Sequence, residues 1–431
     1  MSFEGWQECE IGDYFDLIPG YAFKSKEFLD QGAPVFKIKN IKPLNVKYDE
    51  LAYVSESYLN LKSKFIVKKD ELLISMTGNR IEGTPETWVG KVAYFNKEEP
   101  YLVNQRVGIL RKKGDSQVSN KYMVYKLSTD EMQKHLISIA TSSGGQANIS
   151  PTQILSTRIK LPSFSTQEKT AFILSSFDDK IELNNRMNKV LEQMARAIFK
   201  QWFVDFEFPN ENGEPYKSSG GEMVWCEELG KEIPKGWMLD TIGNCSSFLS
   251  RGIAPKYAEV SDKYVINQKC IRNGELNLAL SRPHVSNVSE EKQIRFGDIL
   301  VNSTGTGTLG RVAQVYERLN DYTVDSHVTI IRPNLKYGIG YMGCLVKSMQ
   351  STFENAATGS TGQTELGREV IKQMKIIVPE QHLIKAFSDI YHNFCEKMVR
   401  SQQENKVLTS LRDTLLPKLM SGEIDVSEID V

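Results

Sequence analysis

Residues 166–203 read TQEKTAFILSSFDDKIELNNRMNKVLEQMARAIFKQWF and contain neither glycine nor proline. Apolar side chains recur in steps of three and four at Leu174, Phe177, Ile181, Met187, Leu191, Met194, Ile198 and Trp202, which marks one apolar stripe on a helix. A second stripe runs through Ile384, Phe387, Tyr391, Phe394, Met398, Leu408, Leu411 and Leu415, and Pro417 is expected to stop it. At 1.5 Å per residue, each helix of roughly 35 residues spans about 50 Å, more than a globular core usually demands. Two stripes of equal length most simply bury against each other, and repeats related by a pseudo-two-fold axis would pair them antiparallel as a coiled coil. A core helix inside each domain is the alternative. Asn184, Asn188 and Asn405 interrupt the stripes. Either they are buried and fix the register, or they face solvent.

The chain also repeats itself. Gly5-Trp6 returns as Gly236-Trp237 and Ile11-Gly12 as Ile242-Gly243. Asp70, Leu72 and Ser75 return as Asp298, Leu300 and Ser303, and Gly90-Lys91-Val92-Ala93 as Gly310-Arg311-Val312-Ala313. Val103, Val107, Ile109 and Arg111 match Val324, Val328, Ile330 and Arg332, and Lys189-Val190-Leu191 matches Lys406-Val407-Leu408. The order never breaks and the offset shrinks only by loop-sized steps. Each half is therefore a mixed, strand-rich domain followed by one long helix. The expected organisation is an α/β (α+β) chain with domains over 1–164 and 236–379, long helices over 165–204 and 380–431, and an exposed linker over 205–235. Between the matches the halves have diverged, so whatever they bind need not be the same twice.

The linker expectation rests on turn formers: Pro-Asn-Glu-Asn-Gly at 209–213, Ser218-Ser219-Gly220-Gly221, and Ile233-Pro234-Lys235-Gly236-Trp237. Together with Gly-Glu-Met-Val at 221–224, Glu228-Leu229-Gly230, Gln167-Glu168 at the helix start and the closing Leu416-Pro417-Lys418-Leu419-Met420-Ser421-Gly422-Glu423-Ile424, these runs resemble the specificity subunits of type I restriction-modification enzymes. The resemblance implies two target-recognition domains, each reading half of an asymmetric, split double-stranded DNA target, separated by helices that dock two methyltransferase subunits. Restriction/translocase subunits complete such a complex. S-adenosylmethionine, ATP and Mg²⁺ are then expected on those partners and no cofactor on this chain.

Bulk charge is nearly balanced, 53 Lys and Arg against 54 Asp and Glu, and does not announce a nucleic-acid partner. Locally, residues 1–164 carry net +3 and 235–379 net +4, with net −6 between them over 205–234. Six scattered cysteines form no CxxC pair and read as reduced thiols. No run reaches about 18 apolar residues and the start has no signal-peptide pattern, so a soluble, cytoplasmic protein without membrane contact is expected. Five histidines never fall at HxxxH spacing, and no metal site is expected.

Gly305-Thr-Gly307-Thr-Leu-Gly310 fits GxGxxG, yet Arg311-Val-Ala-Gln-Val-Tyr316 alternates like a strand, where a pyrophosphate site needs a helix N-terminus. A Gly/Thr hairpin loop meeting phosphates, or a plain structural loop, fits better. Amino-methyltransferase, nuclease, GxSxG and Walker motifs are missing from the sequence, so no catalytic residue is expected. Base readout needs Arg, Lys, Asn, Gln or hydroxyl side chains on elements that enter a groove. The candidates in the first half are Thr77, Asn79, Arg80, Lys91, Gln105, Arg106, Ser143, Gln146 and Asn148. In the second they are Ser303, Thr304, Thr306, Thr308, Arg311, Ser326, His327, Ser360 and Gln363. For each, a solvated loop position is the alternative. Tyr21, Phe23 and Lys24, with Arg251, Lys256 and Tyr257, would meet phosphates or simply pack. A rival for the whole chain is a duplicated protein-interaction scaffold that binds no DNA, and a second is a nucleotide-dependent enzyme using the Gly305 loop.

Overall fold

The computed structural model describes residues 5–80, 84–143, 146–357 and 364–429, without the Ser143 side chain. The chain forms two compact units, Met1–Glu182 with Asn405–Val431, and Leu183–Glu404.

In the first unit a five-stranded sheet runs in the order Phe15–Pro19, Val107–Lys112, Leu72–Ser75, Val92–Tyr94, Leu44–Asn45. Leu72, Leu73 and Ile74 are fully buried in a continuous apolar run, as expected for a central strand covered on both faces. A second sheet, order Phe28–Leu29, Ala52–Val54, Ala33–Phe36, Tyr101–Val103, Ile66–Val67, carries a separate small core around Phe23 and Val35. The second unit repeats the main sheet with four strands, Ser246–Arg251, Val328–Pro333, Ile299–Asn302 and Val312–Gln314, and keeps three of the smaller sheet: Arg282–Pro283, Tyr264–Ile266 and Tyr322–Val324.

Pairing fixes the repeat more finely than residue identity does. Ser75 faces Val107 and Asn302 faces Val328, so the true counterpart of Ser75 is Asn302, one residue before the Ser303 that the sequence matches. The shift aligns Glu71 with Asp298, and each takes a two-pronged bond from the matched arginine: Arg111 Nε and Nη2 to Glu71, Arg332 Nε and Nη2 to Asp298 at 2.8 Å each. Gly20 and Gly252 also match. A Cβ at Gly20 would lie 2.3 Å from the Asn104 carbonyl oxygen, and one at Gly252 would lie 1.9 Å from that of Val324.

The long helices run over Phe164–Phe199 and Gln381–Met420. Pro417 does not stop the second. It lies in the last turn, and the chain turns off at Gly422, whose φ is +72°. Inside the first unit the helix segments run antiparallel: Lys169 reaches the Ser427 carbonyl at 2.6 Å, and Asp178 pairs with Arg412 at 2.6 Å. Inside the second unit Asn184 donates to Glu404 at 2.7 Å, and Phe199 packs on Phe387 with centroids 6.0 Å apart.

Leu174, Leu191, Phe387, Tyr391 and Met398 are buried in these seams, while Phe177, Ile181, Ile198, Phe394, Leu408 and Leu415 are half-buried. Met187, Met194 and Leu411 correct the expected stripe, being 40 %, 45 % and 46 % exposed. The seam passes instead through Asn184, Ala195, Phe199 and Cys395. Spacing alone reads methionine as core, but a helical face about 100° wide leaves positions one step aside in solvent. Asn184 is fully buried, whereas Asn188 and Asn405 are half-buried.

The acidic connector is mostly exposed, as expected, but it is folded and anchored by a few buried residues. Phe206 and Phe208 are buried against Trp237, Phe208 stacks on Tyr216 with centroids 4.4 Å apart, and Met223–Cys226 pairs with Lys231–Pro234 as a hairpin. Its glycines make turns within the fold, at φ +80° for Gly213 and +85° for Gly220, and Phe206, Phe208 and Tyr216 join the core of the second unit while Trp225 stays exposed. Among the described residues no helix is long and apolar enough to cross a membrane, and no group of three or more His, Cys, Asp and Glu is placed to hold a metal.

Candidate nucleic-acid interface

In the first unit three separate pieces of chain meet at one end of the main sheet. The strand Leu72–Ser75 runs on into Thr77–Gly78, which pairs with Gln146–Asn148, and the turn Asn104–Arg106 leads into the strand at Val107. Thr77 Oγ1 donates to Asn148 Oδ1 at 2.7 Å, and Arg106 Nη1 reaches Asn148 Oδ1 at 3.2 Å and Thr77 Oγ1 at 3.4 Å. Thr77 is buried, Asn148 half-buried and Arg106 exposed, so the threonine anchors a pair of long polar side chains. Gln105 and Gln146 are exposed beside them.

The second unit builds the same frame from different side chains. Thr304 forms an antiparallel bridge to Glu365 where Thr77 pairs with Asn148, and Leu366 N donates to the Ser303 carbonyl where Ile149 N donates to that of Met76. His327 occupies the place of Arg106, with Nδ1 2.7 Å from Thr304 Oγ1. The backbone N–H of His327 donates to Asp325 at 2.9 Å, and burial raises the Asp325 pKa. Gln268 Nε2 donates to Thr304 Oγ1 at 2.6 Å, and Arg251 Nη2 pairs with Glu365 at 2.6 Å. The matched triads are thus Thr77, Arg106 and Asn148 against Thr304, His327 and Glu365.

Other expected residues take different roles. Lys91 is buried, its ammonium donating to the Glu86 carbonyl at 2.7 Å and the Ile38 carbonyl at 3.4 Å, and burial pushes its pKa down to about 8. It is a structural strut and cannot meet a phosphate. Ser303 is likewise buried, 2.5 Å from Thr329 Oγ1. Arg80 Nη2 staples its loop to the Ala140 carbonyl at 2.8 Å, and Asn79 Nδ2 donates to Thr87 Oγ1 at 3.3 Å. Arg311 Nη2 caps the Gly307 carbonyl at 2.7 Å. Thr306 is exposed, and Thr308 and Ser326 are half-buried. Ser360, Gln363 and the Ser143 side chain lie outside the described residues.

The Gly305 loop joins the antiparallel strands Ile299–Asn302 and Val312–Gln314, so no helix follows to hold a dinucleotide. Tyr21 and Phe23 pack edge to face at 4.9 Å within an aromatic cluster. Tyr257, 40 % exposed, carries the Arg282 guanidinium 3.5 Å from its ring centroid. Sequence reasoning missed Glu365, Gln268 and Arg282. Glu365 becomes visible only when a β-bridge puts it beside Thr304, and Gln268 only through its side-chain bonds to Thr304.

A family model described as the type I restriction modification DNA specificity domain matches residues 3–193. The MjaIX type I specificity subunit of Methanocaldococcus jannaschii is 30% identical over 440 residues, covering 98% of this chain and 94% of its own length. The HindI specificity subunit of Haemophilus influenzae is 24% identical over 483 residues, covering 97% and 99%. Among solved structures, the S subunit of a type I restriction-modification system from M. genitalium shares the fold with a TM-score of 0.56 at 17% identity, over 96% of each chain. With 30% identity sustained across nearly the whole of both chains, this chain belongs to the specificity subunits of type I restriction enzymes.

Proposed function

We propose that each unit reads one half of an asymmetric, bipartite DNA target through its Thr-anchored triad, and that the two long helices set the spacer between half-sites and dock two methyltransferase subunits. The supporting observation is one backbone frame presenting Arg106 and Asn148 in one unit and His327 and Glu365 in the other. Arg suits guanine and Asn suits adenine, whereas a glutamate accepts from the cytosine amino group. Unlike chemistry on a matched frame gives unlike half-sites and a target without palindromic symmetry. Lys and Arg elsewhere on each unit supply salt-dependent attraction to phosphate.

In this reading the chain contributes recognition alone. S-adenosylmethionine, ATP and Mg²⁺ act on the methyltransferase and restriction/translocase partners. The test is methylation-motif sequencing in cells carrying the system with Arg106→Ala or His327→Ala. Each is expected to relax a single position of one half-site by about 1–3 kcal/mol of discrimination, roughly 5- to 150-fold, with the other half untouched. A palindromic wild-type motif, or equal loss in both halves, refutes the proposal.

A further inference from the structure

The second unit contains a recess of about 460 Å³ that has no equivalent filling where the repeat predicts one. In the first unit Arg412 bridges to Asp178 at 2.6 Å, and Asp178 accepts a hydrogen bond from the Tyr125 hydroxyl at 2.5 Å. The helix repeat maps Arg412 to Ala195 and Asp178 to Cys395. The fully buried pairs Tyr122-Met123 and Tyr341-Met342 then map Tyr125 to Cys344. A tyrosine, an aspartate and an arginine are thus replaced by two cysteines and an alanine. Ala195 and Cys344 line the recess that results.

Its wall is apolar, with Phe199, Val312, Tyr391 and Met398 all buried. Four side chains at the recess form one hydrogen-bonded chain. Lys347 donates to the Tyr316 hydroxyl at 3.0 Å, which is 2.8 Å from the Tyr391 hydroxyl, and Tyr391 donates on to Gln314 at 2.8 Å. No carboxylate lies within ion-pair distance of Lys347 among the described residues, although its ammonium has three donors to satisfy. Glu192, also in the lining, is taken by Arg196 at 3.4 Å. Burial pushes the Lys347 pKa down, and the charges of Glu192 and Glu275, neither of them within ion-pair distance, only partly oppose that shift. A concave recess of this volume, with a buried apolar wall and an exposed rim that includes Arg196, Lys200 and Ser348, suits a small molecule rather than a flat partner surface.

We propose that this recess binds a small molecule with an aromatic or branched apolar body and one carboxylate, the carboxylate pairing with Lys347 and the body lying against Phe199, Val312 and Met398. The site is independent of the DNA-reading triads. The test is fluorine NMR titration of the full-length chain with 4-(trifluoromethyl)benzoate and with the neutral 4-(trifluoromethyl)benzyl alcohol. Saturable binding of the benzoate is expected, about tenfold tighter than the alcohol, the low end of what a charge-assisted hydrogen bond supplies. Lys347→Met removes that preference and leaves alcohol binding within about twofold. Ala195→Leu, or the triple change Ala195→Arg, Cys344→Tyr and Cys395→Asp that restores the first unit's chemistry, abolishes both. No saturable benzoate binding to the wild-type chain overturns the proposal. So does a carboxylate preference that survives Lys347→Met, or displacement of the probe by the methyltransferase partner, which would make the recess a protein-docking socket.

Discussion

Replacing Asp298 by Asn leaves the shape of the second unit's sheet and removes one charge from a largely buried ion pair. Asp298 is 1 % exposed and Arg332 12 %. The carboxylate takes two bonds from Arg332 at 2.8 Å and one from the Arg295 backbone N–H at 2.8 Å. Breaking a buried pair by disarming one partner costs about 3–5 kcal/mol, because the other charge remains buried without compensation. Arg332 keeps its bonds to the Gln293 carbonyl at 2.8 Å and the Glu291 carbonyl at 3.1 Å, which places the expected loss at about 3 kcal/mol. In a unit of roughly 220 residues this lowers Tm by about 6–12 °C. Urea and thermal unfolding of the full chain measure the loss, and hydrogen exchange localises it to the strands Ile299–Asn302 and Val328–Pro333. Adding Arg332→Met should restore part of the stability, since it removes the stranded cation. A loss below about 1 kcal/mol, or a double variant as unstable as the sum of the singles, refutes the reasoning.

Lys91 is protonated less readily when folded, with a pKa near 8 against about 10.4 in an unfolded chain, so the unfolded state binds more protons between these values. Stability should therefore rise as pH climbs from about 8 to 10.5, and Lys91→Met should abolish that rise without altering the salt dependence of DNA binding; a lowered salt slope would restore Lys91 as a phosphate contact. Gly252→Ala should cost at least about 1–3 kcal/mol by unfolding, since its Cβ would lie 1.9 Å from the Val324 carbonyl oxygen, and a neutral effect would show that this approach is not close. Arg412→Ala should destabilise the first unit by about 2–3 kcal/mol, below the fully buried value because Arg412 and Asp178 are 17 % and 19 % exposed. Asp178→Asn on that background should then add little, and full additivity would argue that the two are not coupled.

Duplication, the two long helices, the strand-rich domains and the polar loops were legible in the sequence, because each rests on a local period or on a residue pattern that recurs in order. Lys91 and Ser303 carry suitable donors, but only the packed structure shows both withdrawn into the interior. Glu365 stands far along the chain from Thr304 and His327, and nothing local announces that a β-bridge joins them.

The sequence alone determined that the chain contains one scaffold twice, since collinear matches survive wherever backbone geometry demands particular residues. Tertiary structure decided the registers: Glu71 with Asp298 in place of Asp70, and Ala195 in the seam in place of Met194. In a strand a shift of one residue exchanges the two faces, and on a helix it rotates the side chain by about 100°, so a match that is right to within one position still leaves undecided which group is buried and which is offered to a ligand.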